Sequence, residues 1–250
     1  MSGHSKWSSI KHKKGAADAK RGKLFTKLAR AITVAARDGG GDPKGNPALG
    51  LAVQKARDAS MPKDNIQRAI DRGTGEGSDA AAIEAVTYEG YGPGGAAILV
   101  EVLTDNRNRT GAEIRHAFER NGGSLGEPGS VAWQFSKRGV LIVDADRFGE
   151  DDLMPAIDAG AEDVAADGDM YKVVCSPQAL VEVRESLEAA GVEVESSELT
   201  MEPESVVEIE AGEAPGLVRL MDALDDQDDV DKVYSNFDLP AEVLEELASG

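Results

Sequence analysis

Apolar residues recur at helical spacing in the first part of the chain and at strand spacing after it. Between residues 16 and 38, Leu24, Phe25, Leu28, Ile32 and Ala35 fall within one arc of roughly 100–120° of a helical wheel. Lys20, Lys23, Lys27, Arg30 and Arg37 gather on another arc of about 100°, with Arg21 out of pattern near the apolar side. The spacing predicts a helix with one face for a core and one for phosphate. Gly39-Gly40-Gly41 and the nearby Pro43 and Pro47 stop it. A second helix is expected over 48–58, with Leu49, Leu51, Ala52 and Ala56 inward. A third is expected to start at Ser60 as its cap, with Pro62 near the first turn and Ile66, Ala69 and Ile70 inward. Gly73, Gly75 and Gly77 read as a linker.

Past that linker the period is two. Strands are expected over 85–89 and 96–103 around the Gly-rich turn 90–95, then a helix over 110–121 capped by Asn108 or Thr110. Strands 131–135 and 140–144 are expected to join at Lys137-Arg138-Gly139. From 140 to 200 the order is βαββαβ, the ferredoxin-like split arrangement. A strand over 206–210, a helix over 215–224 and a strand over 230–234 return to the 80–135 segment, which has too few strands to close a sheet alone. The predicted fold is α+β: an N-terminal helical domain (1–75), a discontinuous α/β domain (80–136 plus 205–240) and an inserted ferredoxin-like domain (137–204).

Charge sharpens this division. The chain of 250 residues has a formal net charge of −19. Residues 1–73 hold 16 Lys and Arg against 6 Asp and Glu, a net of +10, and the remainder holds 11 against 40, a net of −29. Lys6, Lys11, Lys13, Lys14, Lys20, Arg21, Lys23, Lys27 and Arg30 stand against the single acid Asp18 in the first 30 residues, beside aromatic Trp7. A basic block with an aromatic is a polyanion-binding footprint. Residues 1–15 are polar, basic and dotted with Gly and Ser, and are expected to order only against a partner. Arg107 and Arg109 form a second cationic point at a strand-to-helix junction, suited either to an anion or to pairing with local acids.

Other chemistry is poorly represented. Gly90-x-Gly92-x-Gly94-Gly95 precedes a strand, where a dinucleotide fingerprint requires a helix. His4, His12 and His116 are scattered and build no zinc pattern. The acidic run 222–231 lacks the glycine and terminal glutamate of a calcium loop and reads as a solvated loop. No nucleophile motif occurs. The expectation is a non-enzyme with no cofactor, no metal and no small-molecule substrate. No apolar stretch suits a membrane and no apolar signal core follows the N-terminal charge. The lone Cys175, in an apolar run, reads as a buried strand residue in a reducing, cytoplasmic setting.

Several segments together resemble the YebC/PmpR family. They are Gly3-His4-Ser5-Lys6-Trp7, Ile10-Lys11-His12-Lys13, Lys20-Arg21-Gly22-Lys23, Phe25-Thr26-Lys27, Met61-Pro62-Lys63-Asp64-Asn65-Ile66, Tyr88 to Gly95, Thr104 to Thr110 and Gly129-Ser130-Val131. Gly50 stands where the pattern has Arg, and Ser60 where it has Asn. The resemblance implies three domains around a cleft and a cytoplasmic, non-enzymatic protein. It also implies a DNA-binding transcriptional regulator, or a translation factor bound to ribosomal RNA that relieves stalling at proline-rich stretches. The residues themselves favour neither decisively. Lysines outnumber arginines in the arm and no clear helix-turn-helix reader is evident, which suits backbone contact. On either reading Lys6, Trp7, Lys11, Lys13, Lys14, Lys20, Arg21, Lys23, Lys27, Arg30, Arg107 and Arg109 are the candidate contacts.

Overall fold

The computed structural model describes residues 18–75, 83–239 and 243. Residues 133–206 form one compact unit, and the other described residues form the second.

The second unit begins with three helices, α1 (Asp18–Gly39), α2 (Pro47–Asp58) and α3 (Lys63–Gly73). Their core is Ile32, Ala36, Leu49, Val53, Ala56, Met61, Ile66, Ala69 and Ile70. Full burial of a side chain such as Ile32 contributes about 1.5–3 kcal/mol. Asn46 caps α2 by accepting from the Leu49 N–H. Gly73, expected in a linker, instead ends α3 where it meets α1: a Cβ there would lie 2.3 Å from the Thr33 carbonyl oxygen. Leu24, expected in the core, is exposed.

Ser60 does not cap α3. That position is taken by Pro62, which offers no side-chain cap, and Ser60 turns the chain with φ 61°. A left-handed conformation costs an L-residue roughly 1–2 kcal/mol, and Gly or Asn tolerates it better. Ser60→Gly should therefore raise stability by about 0.5–1 kcal/mol, with Asn intermediate. Urea unfolding at neutral pH checks this; a loss on either substitution would contradict it.

The same unit continues as a sheet with order β3-β1-β2-β9, every neighbour antiparallel. Its strands are β1 (Glu84–Tyr91), β2 (Ala97–Thr104), β3 (Ser124–Leu125) and β9 (Val230–Ser235). Helices α4 (Arg107–Arg120) and α7 (Ala214–Asp225) cover it through Ile114, Phe118, Leu217, Leu220 and Leu224. A short parallel pair, β8 (Val207–Glu208) with β10 (Phe237–Asp238), completes the unit. The cap of α4 is Asn106, which accepts from the Arg109 N–H, rather than Asn108 or Thr110. The earlier start places both arginines in the first turn.

Glu89, on β1, is buried among the N–H groups of Gly129, Val131 and Ala132, at 2.6, 2.8 and 2.7 Å. Burial alone would raise its pKa, but these three donors outweigh it and hold the carboxyl below its ordinary value. A folded pKa below the unfolded one gives stability that is present above the unfolded value and lost as pH falls through the folded one. Glu89→Gln turns an amide toward backbone donors. It should cost about 1–3 kcal/mol near pH 7, shrinking below about pH 4. Chemical unfolding of both proteins across that range tests it; a pH-independent difference would refute the assignment.

Residues 133–206 form the ferredoxin-like unit, inserted between β3 and β8. Its strands are β4 (Phe135–Asp144), β5 (Ala161–Asp167), β6 (Met170–Cys175) and β7 (Val194–Pro203). They lie in the order β5-β6-β4-β7, all neighbours antiparallel. The short α5 (Met154–Asp158) and α6 (Leu180–Ala189) pack on them through Leu153, Ala156, Val183 and Leu187. The hairpin expected at Lys137-Arg138-Gly139 is absent, because β4 runs unbroken through all three residues. Gly139 is there for packing. A Cβ would lie 2.8 Å from the Cys175 sulfur and 3.0 Å from Leu180. Cys175 is fully buried, its Sγ donating to the Gly139 carbonyl at 3.6 Å, and burial pushes its thiol pKa up.

Candidate nucleic-acid interface

Helix α1 carries two stripes at helical spacing. Phe25, Leu28 and Ile32 face the helical core. Lys23, Lys27 and Arg30 lie along a second stripe, which meets the loop that follows α7. The Lys23 ammonium donates to the Asp226 carbonyl at 3.1 Å, and Lys27 donates to the Asp225 carbonyl at 2.6 Å. These are carbonyls at a helix C-terminus, which lack intrahelical partners and carry the negative end of the dipole. The Lys27 ammonium also lies 3.7 Å from the Asp225 carboxylate. Arg30 donates to the Asp228 carbonyl and pairs with Asp229 Oδ1 at 2.8 Å.

Asp229 is 4 % exposed and is the hub of this contact. Its Oδ2 accepts from Arg109 at 2.8 Å, from Thr104 at 3.0 Å and from Thr110. One carboxylate thus ties α1 to the end of β2 and to the first turn of α4. Burial would raise its pKa; the hydrogen bonds from Thr110 and Arg109, the Arg30 charge and Thr104 together hold it below its ordinary value. The expectation of a solvated acidic loop over 222–231 is thereby corrected at its centre. The sequence could not pair an acid at 229 with cations at 30 and 109.

The candidate contacts fall into three groups. Lys23, Lys27, Arg30 and Arg109 converge on residues 225–229, and Arg109 also pairs with Asp105 at 2.9 Å. Arg21 and Arg107 are exposed, the Arg107 carbonyl accepting from the Tyr88 hydroxyl at 3.1 Å. Lys6, Trp7, Lys11, Lys13 and Lys14 lie outside the described residues, as does the side chain of Lys20, whose backbone belongs to α1. Sequence reasoning passed over Arg68 and Arg72. They sit one turn apart on α3 and join Arg30 in lining a cleft of about 550 Å³. The signal was available: the pair is spaced i, i+4 on the side of α3 away from Ile66 and Ile70.

Comparison with known proteins places this arrangement. The family model described as "TACO1/YebC protein N-terminal domain" matches residues 5–76, and "TACO1/YebC second and third domain" matches residues 83–237. The chain belongs to the TACO1/YebC family. Curated relatives called "Probable transcriptional regulatory protein" include one from Rubrobacter xylanophilus, 60% identical over 99% of this chain and 100% of its own length. Another, from Geobacter sulfurreducens, is 53% identical over 99% and 100%. A crystal structure of a conserved hypothetical protein from Aquifex aeolicus superposes with a TM-score of 0.81 at 44% identity, covering 91% of this chain and 94% of that one. Among the described residues no group of three or more His, Cys, Asp or Glu is placed to hold a metal ion. No described helix is long and apolar enough to cross a membrane.

Proposed function

We propose that this TACO1/YebC-family chain is a nucleic-acid-binding regulator of gene expression, acting on DNA as a transcriptional regulator through its basic arm and the start of α1. The observation that carries the reading is the charge division, +10 over residues 1–73 against −29 over the rest. The names of its relatives support a regulatory role. Neutralisation of phosphates by Lys6, Lys11, Lys13, Lys14, Lys20 and Arg21 would supply affinity, and Trp7 would stack on a base or pack on sugar. The reading needs no catalytic step, cofactor or small-molecule substrate. It places the protein in the cytoplasm, with the chromosome and the ribosome.

A second reading, a ribosome-associated factor on ribosomal RNA that relieves stalling at proline-rich stretches, is favoured by one observation. The cationic stripe of α1 is engaged by residues 225–229. A helix laid in the major groove needs such groups turned outward. Crosslinking in cells followed by sequencing of both DNA and RNA separates the two. Reads concentrated at promoters support transcription; reads spread over ribosomal RNA support translation.

A further inference from the structure

The cleft of about 550 Å³ bordered by Arg30, Arg68 and Arg72 has no part in the proposed function. Its volume is that of a small-ligand site. Its walls differ in kind. Phe25 gives a partly exposed aromatic surface, while the arginines give a cationic one.

The arginines differ in how far they are committed. Arg30 is held by Asp229, so it contributes charge more than free donors. Arg68 donates to the Asp64 carbonyl and to the Asn65 side chain, two uses among the five N–H groups of a guanidinium. Arg72 is exposed, and its guanidinium has no hydrogen-bond partner among the described residues. Asp105 also borders the cleft and would repel an anion, but its carboxylate is taken by Arg109 at 2.9 Å. The free donor capacity therefore belongs to Arg68 and Arg72, one turn apart, beside an aromatic side chain. Planar forks suit phosphate oxygens and aromatic faces suit bases. A duplex cannot enter such a space; one unstacked nucleotide can.

We propose that this cleft binds a single nucleoside monophosphate unit, its phosphate on Arg68 and Arg72 and its base against Phe25. Two sources share that chemistry: a free mononucleotide, and an unpaired nucleotide of a strand held by the basic arm. The second source rests on the proposed function; the first does not.

The test uses the full chain and two probes. Calorimetry measures AMP against adenosine and against inorganic phosphate. Anisotropy measures a labelled single-stranded RNA of about twelve nucleotides against a duplex of equal length. The variants are the double substitution Arg68→Gln/Arg72→Gln and the single Arg72→Gln. Arg72 is exposed, so the single variant keeps the test valid if the double one folds poorly, which circular dichroism reports. The expected result is AMP binding at least about tenfold tighter than adenosine or phosphate, lost about tenfold or more in the double variant. If single-stranded RNA loses affinity in parallel while the duplex changes less than about threefold, the strand is a source. AMP binding with no RNA or DNA binding upholds the cleft and overturns the proposed function. Wild-type affinity for all probes that is unchanged in both variants overturns the cleft and leaves the proposed function standing.

Discussion

Asp229→Ala is expected to lower the unfolding free energy of the second unit by about 1.5–3 kcal/mol, because it removes the buried acceptor that Arg30, Arg109, Thr104 and Thr110 share. Arg30 would keep only the Asp228 carbonyl, Arg109 only Asp105, and the Thr104 and Thr110 hydroxyls would lose a shared acceptor. The loss should be uneven. Hydrogen exchange of α1 should rise more than that of β1 or β2, because the carboxylate ties α1 to the sheet. Acid should mimic the substitution. The folded pKa of Asp229 lies below its ordinary value, so its contribution is full above the unfolded carboxylate range of about 4 and disappears as pH falls below it. Urea unfolding with exchange mass spectrometry measures both effects. A loss under about 1 kcal/mol would show the hub to be replaceable by solvent.

Charge reversal in the arm should weaken duplex DNA binding on the order of a hundredfold at physiological salt, for the triple variant Lys11→Glu, Lys13→Glu and Lys14→Glu. If about five to eight phosphates are neutralised, the wild-type slope of log K against log salt is roughly −4 to −7. Loss of three contacts flattens it by about 2.7. Lys27→Glu is the instructive contrast. Its ammonium already serves the Asp225 carbonyl and carboxylate, so reversal should lower stability more than it changes the slope. Titrations at four or more salt concentrations decide this. Equal slopes for wild type and the arm variant would remove the arm from the interface.

Periodicity exposed much of the architecture because each element buries one face. Ile32, Ile66, Ile114, Phe118 and Leu217 stand at spacings that only a helix satisfies, and the βαββαβ order of the inserted unit follows from alternation along β4 to β7. The failures differ in cause. Ser60, and Asn108 or Thr110, suit caps by local habit, yet α3 begins after Pro62 and Asn106 caps α4 by accepting from the Arg109 N–H three residues on. Gly139 suits a turn by local habit, and its role is decided by contacts distant in sequence. Gly139 faces Cys175 and Leu180, and a strand position can demand glycine for close approach as much as a turn can demand it for conformation. The charged site was legible as a basic stripe and an acidic run. That the two meet was not, since separations near 200 residues leave no periodic trace.

The packing of Cys175 beneath Gly139 and α6 makes the chain's single thiol a clock for its own neighbourhood. A fully buried thiol whose deprotonation is disfavoured reacts with an alkylating reagent only when the strands around it part. The labelling rate under native conditions therefore reports the opening frequency of residues 133–206 alone, with no engineered probe. Alkylation timed with and without nucleic acid thus becomes a direct gauge of how independently the inserted unit breathes.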